Sequence, residues 1–207
     1  MKVLTQARRD AIVAAAAEVF LEIGYERASM DEVARRAGGS KATLYKYFSS
    51  KETMFETVVR NYSARFLTEA ASGLAQPENR HLTLEQKLTR FGEDMLRVVA
   101  SDNQALQIYR VVLGESGHSD IGQLFLESGI RQSMEALAQE MSAAMERGEL
   151  APANPMLRAI QFTTLVKAET EALFFLREMP HFSQEKISEM VANGLQLFLN
   201  GAVKKTE

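Results

Sequence analysis

The stretch that decides the fold runs over residues 30–55 and reads MDEVARRAGGSKATLYKYFSSKETMF. Ser29 stands just before it, and the spacing of Ser29 and Glu32 is that of a capping box, which predicts a helix beginning at Met30. The pair Gly38-Gly39 ends that helix. Ser40 can cap a second short helix immediately after the turn. Two short helices on so tight a turn predict a helix-turn-helix.

Helices are predicted on both sides of this motif. Upstream, apolar residues recur at helical spacing and Gly24 follows as a stop, which predicts one amphipathic helix over roughly 5–23. Downstream, Ser50 can cap a helix that we expect to run to about Gly73. Residues 1–50 are therefore predicted to form a three-helix DNA-binding domain. The helix from about 51 to 72 is expected to link it to a helical domain that completes 51–207.

The outer face of the second helix is the candidate for DNA contact. In a helix-turn-helix the first helix props the second one against the major groove. Ala34 is small enough for the crossing of the two helices, and Leu44 and Phe48 are expected to point inward. The groups left to reach bases or phosphates are Lys41, Thr43, Tyr45, Lys46 and Tyr47, together with the N–H groups at the helix start by Lys51. Under the alternative interpretation, both tyrosines are core residues and the lysines lie on a solvated face.

This stretch resembles the DNA-binding signature of the TetR/AcrR repressor family almost position for position. The shared pattern is a capped short helix, an Ala-Gly pair, a capped helix ending in LYxYF, and SKE. Gly39 is a departure, because many members have valine or another apolar residue there. The resemblance implies operator contacts by Thr43, Tyr45, Lys46 and Tyr47 and a phosphate contact at Lys51. Contacts to the DNA backbone are expected from Arg8 and Arg9, and the further candidates are Arg27, Ser29, Ser40 and Lys41.

The charge distribution fits local contact with DNA. The whole chain has a formal net charge of −3, yet residues 1–50 carry eight Lys and Arg against six Asp and Glu. A weakly basic N-terminal segment on an acidic body indicates a few placed cations rather than a broad basic face.

The rest of the chain is predicted to be helical, so the fold class is all-α. Apolar stripes mark helices within 84–98, 106–113 and 134–147, followed by two final helices over about 156–178 and 184–200. The resemblance implies that the last two helices form a four-helix bundle with those of a second copy. The last helix offers an apolar face for this homodimer interface, namely Ile187, Met190, Val191, Gly194, Leu195 and Phe198. Internal packing is the alternative explanation of that face.

Apolar side chains spread over the C-terminal helices are candidates for the lining of an effector pocket. Pockets between helices are mostly apolar with a few polar anchors. The candidates are Phe91, Met95, Tyr109, Phe125, Met134, Phe162 and Phe174, although plain core packing would also explain them.

Several kinds of chemistry are not expected. No cysteine occurs, and the three histidines are far apart in sequence, so no metal site is predicted. The run Gly114-Glu115-Ser116-Gly117-His118 lacks the G-x-S-x-G spacing of a nucleophile elbow. No stretch approaches the roughly 20 apolar residues of a membrane span. We therefore expect no catalysis, no cofactor and no membrane contact, and action in the cytoplasm.

The resulting prediction is a homodimeric repressor that binds a near-palindromic operator in double-stranded DNA and leaves it when a small, largely apolar effector binds. Two rival interpretations stay open at this point. One is a structural or division-linked DNA-binding protein of the same fold that responds to no ligand. The other is a helical-bundle enzyme, which would require a complete catalytic constellation.

Overall fold

The computed structural model describes residues 5–62, 64–74, 76–79, 81–101, 103–176, 180 and 182–203. Eleven α-helices lie within these ranges: α1 (Gln6–Ile23), α2 (Met30–Arg36), α3 (Lys41–Tyr45), α4 (Lys51–Asn61), α5 (Arg65–Leu74), α6 (Leu84–Ser101), α7 (Asn103–Glu115), α8 (Ile121–Phe125), α9 (Arg131–Glu146), α10 (Pro155–Lys167) and α11 (Gln184–Ala202). Shorter 3-10 segments span Pro77–Asn79 and Ala168–Phe175, and a π-helical turn spans Leu126–Ile130. The described residues contain no strand, so the predicted all-α class is confirmed.

The helices form two compact units. The head unit extends to Ala64 and also includes Gln104–Ser128. The C-terminal unit consists of Arg65–Asn103 and the chain from Gly129 onward. The first unit is therefore larger than the 1–50 segment expected from the sequence, because α4 packs on both α1 and α8.

The head unit has an aromatic core between α1 and α4. The ring of Phe20 lies edge-on to that of Phe55 at 4.9 Å between centroids, and Tyr25 contacts Phe55 at the same distance. Burial and the neighbouring Glu52 raise the pKa of Tyr25, so its phenol stays protonated and donates to the Glu52 carboxylate at 3.4 Å. This core fixes α1 against α4, while α2 packs on α1 and α3 packs on α2.

The continuous linking helix expected over about 51–72 is wrong, because α4 ends at Asn61 and α5 begins at Arg65. The N–H of Tyr62 closes α4 by donating to the Val58 carbonyl. The helix expected over 156–178 also differs, since α10 ends at Lys167 and continues as a 3-10 segment.

The C-terminal unit is centred on α11, which packs on α10 and α6. The ring of Phe162 lies 5.5 Å from that of Phe198 and 6.1 Å from that of Phe91, so the three helices share one core. An ion pair between Lys87 and Glu140, at 3.0 Å and largely buried, joins α6 to α9.

The six residues expected at the homodimer interface face this core instead. Ile187, Met190, Val191, Leu195 and Phe198 are between 0% and 4% exposed within a single chain, and Gly194 is buried as well. A second chain cannot reach side chains that α6 and α10 already cover. The periodicity of α11 therefore marked a face buried inside the protomer.

Helices α10 and α11 cross so closely at Gly194 that no side chain fits at this position. A Cβ atom at this position would lie 2.8 Å from the backbone N and Cα of Val166. We predict that Gly194→Ala lowers the free energy of unfolding by about 1–3 kcal/mol, because a rigid backbone cannot yield to the added methyl group. Denaturant unfolding followed by circular dichroism measures this loss.

The matched control is Gly114→Ala in α7, where a Cβ atom would meet nothing within 4 Å. This variant should be as stable as the parent chain or slightly more stable. Equal stability of Gly194→Ala and Gly114→Ala would contradict the close crossing.

Candidate nucleic-acid interface

The turn between α2 and α3 is held by backbone hydrogen bonds. The N–H of Gly38 donates to the Arg35 carbonyl at 3.2 Å, and that of Gly39 donates to the Ala34 carbonyl at 2.9 Å. These two bonds form a Schellman motif, which satisfies carbonyls at the end of α2. Gly38 has φ +65°, a left-handed conformation that strains any residue with a side chain. The direction in which the chain enters α3 is fixed in this way.

Helix α3 is capped and anchored through its inner face. The hydroxyl of Ser40 accepts the N–H of Thr43 at 3.1 Å, so the predicted cap is confirmed. Leu44 and Phe48 are each 2% exposed, as expected for the residues that face the core. The hydroxyls of Ser40 and Thr43 lie 3.0 Å apart, and Thr43 is half-buried.

The exposed side of α3 ends with Tyr45, the last residue of the helix, and Lys46, which caps it. Tyr45 is 46% exposed, which argues against its being a core aromatic. Lys46 is exposed, and its ammonium forms no hydrogen bond or ion pair with any residue that the structure describes. A free ammonium and an exposed phenol on one short helix can donate hydrogen bonds to phosphates and base edges.

Lys41 is exposed but already has an anionic partner. Its ammonium lies 2.9 Å from the Asp31 carboxylate, and the hydrogen bond between them raises the pKa of Lys41. Exposed ion pairs are weak in water because solvent screens them. A DNA phosphate can therefore replace Asp31 as the partner of Lys41.

Two residues expected at the DNA tie the start of α1 to the helix-turn-helix. The phenol oxygen of Tyr47 accepts the N–H of Thr5 at 3.1 Å. The guanidinium of Arg8 donates from Nη1 to the Ala37 carbonyl at 2.8 Å. Neither contact follows from sequence spacing, because the partners are far apart along the chain.

Arg9 and Lys51 are also engaged inside the head unit. The guanidinium of Arg9 lies 4.6 Å from the centre of the Phe48 ring, in a cation–π contact. The ammonium of Lys51 donates to the carbonyl oxygens of Tyr25 and Glu26 at 2.9 and 3.3 Å, and lies 4.3 Å from the centre of the Tyr25 ring. The Lys51 ammonium is therefore already engaged by protein groups, so a phosphate contact at this position would fall to the backbone N–H groups at the start of α4.

Arg27 and Ser29 have local capping roles. Arg27 donates to the Ile23 carbonyl at 2.9 Å, at the end of α1, and Ser29 accepts the N–H of Glu32 at 3.2 Å, at the start of α2. The predicted capping box is only half formed, because the Glu32 carboxylate binds Arg35 at 3.0 Å.

An ion pair that sequence reasoning missed joins α1 to α2. Both terminal nitrogens of Arg36 lie 2.7 Å from the two carboxylate oxygens of Glu22. Hydrogen bonding to Arg36 lowers the pKa of Glu22. The pairing depends on how α1 crosses α2, which local sequence patterns do not specify.

The residues expected to line an effector pocket are divided between the two units. In the C-terminal unit, Phe91, Met95 and Phe162 are at most 1% exposed, and Met134 is half-buried. In the head unit, the rings of Tyr109 and Phe125 lie 5.2 Å apart. The side chain of Phe174 lies outside the described part of the chain.

A cavity of about 190 Å³ lies between α5 and α6 in the C-terminal unit. Of the residues expected to line a pocket, only Phe91 borders it. Polar groups form much of its wall, including Asn79, Lys87, Arg90 and Asp94, and Gly73 leaves room on the α5 side. The wall combines an aromatic ring with hydrogen-bonding groups.

Metal centres and membrane-spanning helices are two further kinds of site that a helical chain can form. No three His, Asp or Glu side chains among the described residues converge on a point where a metal ion could bind. Within the same ranges, no helix is both long enough and apolar enough to span a bilayer.

Comparison with known families agrees with this architecture. Residues 12–58 match the model "Bacterial regulatory proteins, tetR family". Residues 86–201 match the model "AefR-like transcriptional repressor, C-terminal domain", which covers more than half of the chain. The chain belongs to the TetR family. Members of this family are DNA-binding transcriptional regulators and not enzymes.

Individual members of the TetR family resemble this regulator in sequence and in structure. The transcriptional activator FasR of Mycolicibacterium smegmatis is 35% identical over 101 residues, which are 49% of this chain and 44% of FasR. The chain spans less than half the length of the first curated relatives that it matches.

Two solved structures match nearly the whole of this TetR-family chain. The flavonoid-responsive regulator FrrA is 30% identical with a TM-score of 0.75, and 98% of this chain and all of FrrA are covered. A TetR-family regulator from Pseudomonas syringae pv. tomato is 28% identical, has a TM-score of 0.73 and is covered to the same extent.

The exposed groups of α3 lead to a prediction for DNA binding by this TetR-family regulator. We predict that Lys46→Ala and Tyr45→Ala each weaken specific DNA binding by about ten-fold or more, because both remove donors on the outer face. If Lys46 contacts a phosphate, its loss should also lower the slope of log affinity against log salt by about one unit. Fluorescence anisotropy at several salt concentrations measures both quantities.

The control for these variants is Arg60→Ala, which removes an exposed cation from α4 that pairs with Glu56. Its affinity and salt slope should match those of the parent chain. If both α3 variants kept the parent's affinity and slope, α3 would not be the helix that contacts DNA.

Proposed function

We propose that this TetR-family regulator is a repressor that binds a near-palindromic operator as a homodimer and is released by a small effector. The free Lys46 ammonium and the exposed Tyr45 phenol on a capped, anchored helix are the observation that carries the DNA-binding part. A protein that reads chromosomal DNA acts where the chromosome lies, so we place it in the cytoplasm.

The repressor assignment rests on the C-terminal half of the chain. The family model matched there describes the C-terminal domain of a transcriptional repressor, and its match extends over residues 86–201. FasR is named an activator, but its alignment covers only 49% of this chain. We therefore propose that this chain represses transcription. A reporter gene placed downstream of the operator should be silenced by the chain when no effector is present.

The homodimer surface that we propose is the outer side of α10 and α11. Every exposed residue of α11 from Ala192 to Gly201 is uncharged, and Leu197 is 62% exposed. On α10, Leu157 and Ile160 are 50% and 47% exposed. Depletion of charge together with exposed aliphatic groups is typical of the centre of a protein interface. Regulators of this family typically act as dimers, which supports a dimer of this chain as well.

We predict that Leu197→Glu converts the dimer to monomers, because a carboxylate in the middle of this surface would be buried without a cationic partner. Sedimentation equilibrium measures the mass of the particle, and circular dichroism checks that the helices persist.

The matched control is Leu113→Glu, which introduces the same charge at a 51% exposed leucine of α7. This variant should remain dimeric. If Leu197→Glu sedimented as a dimer like the parent chain, the interface would lie elsewhere.

The proposed effector is a small, largely apolar molecule that carries a few polar groups. FrrA is described as flavonoid-responsive and is 30% identical over nearly the whole chain. The cavity beside Phe91 offers one aromatic wall and several hydrogen-bonding groups. Its volume of about 190 Å³ is below the roughly 300 Å³ at which small-molecule pockets begin. Binding therefore has to favour a wider conformation, which would then shift the population of DNA-binding dimers.

We predict that flavonoids from a screened panel release the operator from the parent chain, whereas Gly73→Leu keeps operator affinity but loses the response. The new side chain would occupy the cavity, since a Cβ atom at Gly73 has only the Asp94 carboxylate near it, at 3.8 Å. Operator occupancy with and without each compound is measured by fluorescence anisotropy.

Gly117→Leu serves as the control, because a Cβ atom at that position meets nothing within 4 Å. It should respond as the parent chain does. If a wide panel of apolar compounds left DNA affinity unchanged, the effector would be rejected in favour of a ligand-independent DNA-binding protein.

A further inference from the structure

The second glycine of the turn has no backbone reason to be glycine. Gly38 has φ +65°, whereas Gly39 does not have a positive φ that would exclude other residues. What distinguishes Gly39 is that the Arg8 guanidinium occupies the place where a Cβ atom would lie. A Cβ atom built there would collide with Nη2 of Arg8.

The guanidinium that fills this space also makes a hydrogen bond to the end of α2. Nη1 of Arg8 donates at 2.8 Å to the carbonyl of Ala37, the residue that caps α2. Carbonyl groups at a helix C-terminus lack partners within the helix and attract cations. The Arg8 side chain thus binds the Ala37 carbonyl before the turn. It also occupies the space that a side chain at position 39 would fill.

We propose that Arg8 is a positioning residue for DNA recognition, and that Gly39 is glycine in order to admit the Arg8 guanidinium. The contact holds α3 in the direction that the backbone of the turn gives it. This inference rests on the proposed function, because it assumes that α3 reads the operator. It changes the expected role of Arg8, from a phosphate contact to a support for the recognition helix.

Two substitutions, at different residues, each remove the hydrogen bond between Arg8 and the Ala37 carbonyl. Arg8→Ala removes the donor, and Gly39→Ala displaces it. The atom that the new methyl group meets is the far end of a flexible side chain, so Arg8 can swing into solvent and the fold survives. Both variants therefore leave a folded head unit in which the Ala37 carbonyl has lost this donor.

The test uses the duplex that the full-length parent chain selects from a random-sequence pool, together with a scrambled duplex of equal length. Each single variant should bind the selected duplex about ten-fold more weakly, since a hydrogen bond from a charged donor is lost. Affinity for the scrambled duplex and its salt slope should be unchanged. The double variant Arg8→Ala with Gly39→Ala should be no weaker than either single variant, because both remove the same contact.

Two further variants complete the design. Arg8→Lys keeps one donor for the Ala37 carbonyl and should recover part of the lost affinity. Gly114→Ala adds a methyl group in open space within the same unit and should bind as the parent chain does.

Several outcomes would overturn the inference. An equal loss on both duplexes for Arg8→Ala, with a salt slope lower by about one unit, would make Arg8 a phosphate contact. The shared contact would be rejected if the losses in the double variant were additive or if Gly39→Ala bound the selected duplex as the parent chain does. It would also be rejected if Gly39→Ala no longer melted cooperatively. Failure of the parent chain to select any duplex would instead reject the proposed function itself.

Discussion

A helix of five residues cannot maintain its own position, and the DNA contact that we propose depends on one. Helix nucleation is unfavourable, and isolated helices shorter than about 12 residues are marginal in water even with ideal sequences. Helix α3 is therefore placed by its surroundings: the Ser40 cap, the buried Leu44 and Phe48, and the Schellman turn that precedes it. The cap and the turn are local, whereas the burial of Leu44 and Phe48 depends on the core of the head unit, in which α1 packs on both α2 and α4.

This constraint explains how the polar residues of the head unit are used. Many side chains that could contact DNA are engaged in holding α3 and its neighbours, among them Arg8, Arg9 and Lys51. The groups that remain available are few and lie together on the outer face of α3. A small set of well-placed donors on a rigid support loses little conformational freedom on binding, which favours recognition of a defined sequence. It also agrees with the modest excess of positive charge in the first 50 residues.

The features that the sequence predicted well are local ones. The helix starts at Ser29, Ser40 and Ser50 depend on hydrogen bonds three residues apart, and all three caps are present. The buried face of α11 was also predicted, but its partner was not, because periodicity identifies a buried face without saying what buries it. Contacts between distant segments, such as Arg8 with Ala37 and Arg36 with Glu22, depend on how helices cross. For the same reason the sequence suggested DNA contacts for side chains that the fold employs internally.

The most direct test of this account is selection of bound duplexes from a random-sequence pool by the full-length protein, followed by sequencing. A homodimer that reads DNA with two copies of α3 should enrich an inverted repeat. Its two half-sites should be centred about one helical turn of DNA apart, or a whole multiple of it, roughly 10–10.5 base pairs per turn. Enrichment of a single unrepeated site, or of no sequence at all, would contradict the claim that a dimer recognises its operator through α3.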